Sequence, residues 1–141
     1  MTRIITLLNE KNHYLEKFFA LTEAELSNFV QGHFENLESF YQTRERILDI
    51  LKYLDAQVER EQENLNGQMT IEDSQRQAVK QALAIKDEYV TRIIEQDIQV
   101  LACIETAKNL IIKELQDVRQ NRKAVAGYKV NSFDKRLIEE V

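Results

Sequence analysis

The chain has 141 residues, a length typical of one domain, and its composition is that of a helical protein. It contains no Pro, three Gly and no Trp, and 30% of its residues are charged, which argues against an enzyme barrel with a large core. Apolar residues make up 43% of the sequence, too large a share for an intrinsically disordered chain.

Apolar residues recur at helical spacing in three segments, which predicts helices over about residues 2–30, 34–65 and 73–126. Gly32 separates the first two segments, and Gly67 follows the second. Gly127 is expected to end the third helix, since Gly is common just after a helix C-terminus. Residues 1–129 then form one helical domain, and residues 130–141 a flexible or loosely docked tail.

The apolar stripe of each later helix contains a few polar interruptions, among them Arg44 and Asp97. On the second helix, the predicted stripe consists of Leu37, Phe40, Arg44, Ile47, Leu51, Leu54, Val58, Glu61 and Leu65. On the third, it consists of Val79, Leu83, Lys86, Val90, Ile93, Asp97, Val100, Ile104, Ala107, Ile111, Leu115, Val118, Arg122 and Val125. These stripes predict an all-α fold, an elongated antiparallel three-helix bundle or coiled coil with a long C-terminal helix.

The register of the second and third helices follows from the short connection between them. In an antiparallel hairpin closed at residues 67–70, the numbers of facing residues add up to about 138. Arg44 then lies within one helical turn of Asp97, and we hypothesise that the two form an ion pair. Such a pair adds little net stability but can fix the register. The alternative is that both side chains extend to solvent at the edge of the stripe.

The same register places Phe34 opposite Ile104, so the second helix is too short to cover the end of the third. The first helix either folds back beside the second, which leaves that end exposed, or continues past a kink at Gly32 and covers it. Gly32 favours a break, because Gly is a poor helix former, and therefore favours the three-helix bundle.

The sequence contains no motif for catalysis, a metal or a cofactor, so we expect a protein that is not an enzyme. His13 and His33 have no metal-ligand partner at close spacing, and the single cysteine, Cys103, is expected to be a small packed side chain. One cysteine cannot form an internal disulfide, which favours a reducing compartment. The sequence has no apolar run of about 18 residues, so we expect no membrane span, and its start does not resemble a secretory signal.

The net charge of −5 is distributed unevenly. Residues 34–65 contain eight acids and four bases, whereas residues 108–129 contain six bases and two acids. Opposite charges on two segments can steer a partner or align two helices of the same chain. The basic segment does not indicate nucleic-acid binding, because the whole chain is acidic and cations also collect at helix C-termini.

Two stretches resemble the FlgN/FliT-like flagellar export chaperones. FENLESFYQTRERILDIL (residues 34–51), which follows Gly32, is similar to the second-helix pattern of that family. IIEQDIQVLACIE (residues 93–105) and IIKELQDVRQNRKAVAGYK (residues 111–129) are similar to its last long helix, in which a basic run ends in Gly-Tyr. The resemblance extends over roughly residues 7–129.

The resemblance implies a cytoplasmic bacterial chaperone of type III export, without a cofactor. Its partners would be a secreted flagellar axial protein, such as a hook-associated or cap subunit, and the export apparatus. The implied partner-binding residues are Ile111, Leu115, Val118, Arg122, Val125 and Tyr128. Such a chaperone is a monomer or a weak homodimer. The alternative function is a structural coiled-coil adaptor that homodimerises through the same stripe, and the aliphatic residues are alternatively internal core beneath the first helix.

Overall fold

The computed structural model describes residues 1–65 and 71–140, with residues 128–140 as backbone only. The described residues are almost entirely helical and form α1 (Thr2–Val30), α2 (Leu37–Leu65) and α3 (Asp73–Glu140). The chain divides into two units, Met1–Cys103 and Ile104–Val141. The first unit is a three-helix bundle of α1, α2 and the first part of α3, which confirms the predicted all-α fold.

Helices α1 and α2 are antiparallel. The Lys11 Nζ atom lies 2.6 Å from Asp55 Oδ1 near the middle of both helices, and the rings of Phe29 and Phe40 are 5.3 Å apart near the connection. Between these two points, the core packs Leu15 and Phe18 of α1 against Ile47 and Leu51 of α2. The first helix therefore folds back beside the second, as the three-helix bundle requires.

Helix α1 runs parallel to α3, and two buried amides join them. Asn12 donates a hydrogen bond from Nδ2 to the carbonyl oxygen of Ala82, at 2.9 Å. Gln96 donates from Nε2 to the carbonyl oxygen of Phe19, at 3.1 Å, and to the carboxylate of Glu23, at 2.7 Å. Because residue numbers increase together along these contacts, α1 and α3 point in the same direction, and α3 is antiparallel to α2.

The buried positions of α2 agree with its predicted stripe, whereas those of α3 differ at several places, one of them Gln96, which the stripe omits and which is buried. Leu83 and Val90 were expected in the core, but Ala82 is buried and Tyr89 packs against the core instead, while Leu83 and Val90 are exposed. Helix α3 contacts α1 and α2 at once, so its buried face includes residues that turn towards α1. A single stripe of residues spaced alternately by three and four predicts a narrower buried face than the one that α3 has.

Two predicted helix ends were wrong. Helix α2 begins at Leu37 rather than residue 34, because residues 34–36 form a tight turn in which the Leu37 N–H donates to the carbonyl oxygen of Phe34. Helix α3 does not end at residue 126: it continues through Gly127 to Glu140, so residues 130–140 belong to α3. No Pro follows Gly127, and one Gly costs a helix only about 1 kcal/mol, too little to end it.

The two described glycines occupy opposite backbone conformations, and we expect opposite effects from changing each to Ala. Gly32 has a φ of +80°, which costs an L-residue about 1–2 kcal/mol, so Gly32→Ala should lower the free energy of unfolding by that amount.

Gly127 is helical and has open space around it, so Gly127→Ala should increase helix content. Urea unfolding and far-ultraviolet circular dichroism measure the two effects. An unchanged stability of Gly32→Ala would contradict the expected backbone strain.

Candidate partner-binding site

The structure brings Arg44 and Asp97 together, as the predicted register requires. Arg44 Nη2 lies 2.7 Å from Asp97 Oδ1, and the guanidinium also covers the ring of Phe18, with 4.6 Å between the guanidinium carbon and the ring centroid. Asp97 Oδ1 accepts no hydrogen bond of good geometry from the described residues, so the contact is an ion pair. Arg44 is mostly buried and Asp97 half-buried, and the pair connects α2 to α3 inside the first unit.

The predicted partner-binding residues lie in the second unit, on α3, where the aliphatic side chains are exposed. Ile111, Leu115, Val118 and Val125 are between 46% and 57% exposed. Arg122 is exposed as well. Steps of four and three residues separate these five positions, so they share one face of the helix. The side chain of Tyr128 lies outside the described residues.

Three of these residues line one shallow depression. Val118, Arg122 and Val125 surround it together with Asn121 and Ala126, and its volume is about 400 Å³. The aliphatic groups supply apolar surface, while the amide of Asn121 and the guanidinium of Arg122 supply hydrogen-bond donors. Such an arrangement suits an amphipathic partner better than a small polar ligand.

Two exposed apolar residues that the stripe omits flank the face of Ile111 on either side. Leu110 and Ile112 are exposed on either side of Ile111. The run Leu110-Ile111-Ile112 could have revealed them, because three consecutive residues on a helix cannot share one buried face. We refer to Leu110, Ile111, Ile112, Leu115, Val118 and Val125 as the α3 apolar surface.

The α3 apolar surface is accompanied by cations. Lys108, Lys113, Arg119, Arg122 and Lys123 are exposed, and none forms an ion pair with a side chain that the structure describes. Residues 108–127 contain only two acids, Glu114 and Asp117. The resulting positive potential favours a partner segment that carries acidic groups beside its apolar face.

The described residues contain neither a metal-binding cluster nor a membrane-spanning helix. No group of three or more His, Cys, Asp or Glu side chains within the described ranges is arranged to hold a metal ion. Across the same part of the chain, we find no helix with the length and apolar character needed to cross a lipid bilayer. Cys103, a free thiol, is half-buried in the first unit.

None of the protein-family models, curated proteins or solved structures compared with this chain matches it. The resemblance to the FlgN/FliT-like chaperones therefore stays a prediction from the residues themselves. Function has to be inferred from that resemblance and from the α3 apolar surface.

Proposed function

We propose that this protein is a cytoplasmic export chaperone of a bacterial type III or flagellar secretion system. It binds an amphipathic terminal helix of a secreted axial subunit, prevents premature assembly and delivers the subunit to the export apparatus. The observation that carries the proposal is the α3 apolar surface, because clustered exposed apolar side chains commonly mark interaction sites. The resemblance of residues 34–51 and 93–129 supplies the class of partner.

The mechanism is recognition of one helix by another. The apolar face of the cargo helix covers Ile111, Leu115 and Val118, and Arg122 pairs with a cargo carboxylate. Tyr128, three residues after Val125, adds an aromatic anchor with a polar hydroxyl. No covalent bond is made or broken, and no cofactor takes part.

The energetics suit a chaperone that has to release its cargo. Burying the exposed half of an aliphatic side chain contributes about 1 kcal/mol, so the four aliphatics of the predicted site contribute about 4 kcal/mol. Loss of translational freedom and ordering of side chains offset much of this gain. Charge complementarity between the cations of α3 and an acidic cargo segment then adds specificity and a faster association rate.

The deciding experiment is recovery of the cargo from the cytoplasm of the native bacterium. The tagged full-length protein should recover a flagellar axial subunit, and the purified pair should form a one-to-one complex. The double variant Leu115→Glu, Val118→Glu should lose at least 90% of this recovery, because two carboxylates would be buried against the cargo helix. Tyr53→Glu, a change at an exposed aromatic residue of α2, is the matched control and should recover the subunit normally.

Two results would overturn the proposal. Recovery of ribosomal RNA without a secreted subunit would indicate that the basic residues of α3 bind nucleic acid instead of cargo. A stable homodimer that forms without cargo, and that Leu115→Glu, Val118→Glu converts to a monomer, would favour the coiled-coil adaptor. Multi-angle light scattering on the purified protein distinguishes this second result.

A further inference from the structure

A groove lies between α2 and α3 in the first unit. It has a volume of about 320 Å³ and is lined by Tyr41, Arg44, Glu45, Leu48, Asp97, Val100 and Leu101. Val100, which is almost fully buried, and the Arg44–Asp97 ion pair form its floor. The groove therefore includes residues that also join α2 to α3 or lie in the interior of the bundle.

A row of exposed apolar residues extends from this groove along α3. Val90, Ile94, Ile98 and Leu101 are between 37% and 63% exposed, and we refer to them as the outer stripe. Their spacing of four, four and three residues places them along one side of the helix. Leu101 belongs to both features, so the outer stripe borders the groove. Together they offer apolar surface over roughly 16 Å, the length of three helical turns.

The charge beside the groove is negative. Glu45 lines it, and Glu38 lies one heptad earlier on the same side of α2. Neither carboxylate forms an ion pair with a side chain that the structure describes. Among the described residues that line the groove, Arg44 is the one cation, and it already pairs with Asp97 and covers the ring of Phe18. The groove therefore attracts a positively charged segment.

We propose that the α2/α3 groove binds a basic amphipathic helix of a partner protein. The apolar face of that helix covers the outer stripe, and its Lys or Arg side chains lie next to Glu38 and Glu45. A second copy of this chain does not suit the groove in a groove-to-groove dimer, because the two acidic edges would face each other. The proposal does not depend on the proposed function, whose site is the basic surface of the other unit.

The experiment uses the full-length protein and two synthetic helical peptides of 18 residues. Both peptides carry the same Leu stripe, flanked by Lys in one and by Glu in the other, and fluorescence anisotropy measures their binding. The Lys peptide should bind at least tenfold more tightly than the Glu peptide. The difference should shrink in about 1 M salt, where charges more than about 3 Å apart are screened.

Three variants locate the binding surface. Ile98→Glu should weaken binding of the Lys peptide at least tenfold, and Glu45→Lys should reduce the preference for Lys over Glu. Ile85→Glu alters an exposed apolar residue of α3 outside the groove and should bind as the wild type does. All three positions are exposed, so the variants should keep the helix content of the wild type, which circular dichroism checks.

Equal affinity for the two peptides, or equal weakening by Ile98→Glu and Ile85→Glu, would overturn the proposal. A concentration-dependent homodimer that Ile98→Glu abolishes would assign the groove to a second copy of the chain, and would overturn it as well.

Discussion

Replacement of Phe29 by Ala is expected to lower the free energy of unfolding by about 3–5 kcal/mol, the usual cost of removing a buried aromatic ring. Phe29 is 2% exposed near the end of α1. Its ring stacks on Phe34 at 5.4 Å and meets the edge of Phe40 at 5.3 Å. The change therefore removes a ring that connects the end of α1, the α1–α2 connection and the start of α2. Urea unfolding followed by circular dichroism measures the loss.

The next residue in the chain provides the control for this prediction. Val30 is 69% exposed, so Val30→Ala should change the free energy of unfolding by less than about 0.5 kcal/mol. Both variants shorten a side chain in the last turn of α1, which separates the effect of burial from the effect of position. A loss below about 1 kcal/mol for Phe29→Ala would show that the aromatic cluster can collapse around the missing ring.

Replacement of Asp97 by Ala is expected to cost about 2 kcal/mol, less than the 3–5 kcal/mol typical of a fully buried pair because Asp97 is half-buried. The variant leaves the Arg44 guanidinium mostly buried without its carboxylate partner. Replacing both residues, with Arg44→Met and Asp97→Leu, should restore most of the lost stability, since the double variant buries no unpaired charge. Urea unfolding of the wild type, Arg44→Met, Asp97→Leu and the double variant gives the coupling free energy.

A second ion pair on the same helix provides the comparison. Lys86 and Asp87 lie 3.5 Å apart, with Asp87 largely exposed, so Asp87→Ala should be nearly neutral. If Asp97→Ala costs no more than Asp87→Ala, the Arg44–Asp97 pair makes no net contribution. Whether the Arg44–Asp97 pair also fixes the register is a separate question, which NMR of the double variant answers. A single set of amide resonances would show that the apolar contacts alone fix the alignment of α2 and α3.

Periodicity and connection length predicted most of the bundle. The bounds of α1, the end of α2 and the start of α3 follow from apolar spacing and from Gly32 and Gly67. The Arg44–Asp97 contact follows from the register of a short hairpin. The burial of Ala82 could not be predicted in this way, because it depends on how α1 approaches α3, which no local pattern records.

The sequence also predicted part of the candidate site. The register predicted that α2 would not cover residues beyond Ile104, and the α3 apolar surface lies within that stretch. The continuation of α3 past Gly127 was missed because an isolated Gly resembles a helix stop although it only weakens the helix. The outer stripe was also missed, since exposure of Ile94 and Ile98 depends on the width of the contact between α2 and α3.

The exposure of residues 104–127 has a consequence for how recognition and helix formation are linked. Residues 73–103 of α3 gain stability from burial of side chains such as Ala82 and Val100, whereas residues 104–127 contain no fully buried side chain. Their helix is supported by intrinsic propensity and by neighbouring side chains, which contribute a few tenths of a kcal/mol per pair. A partner that covers this stretch also stabilises its helical backbone. Binding is therefore coupled to helix formation, and the measured binding free energy includes the free energy of forming this part of the helix. Substitutions here that lower helix propensity will consequently weaken binding even where they touch no partner atom, while the stability of the bundle stays unchanged.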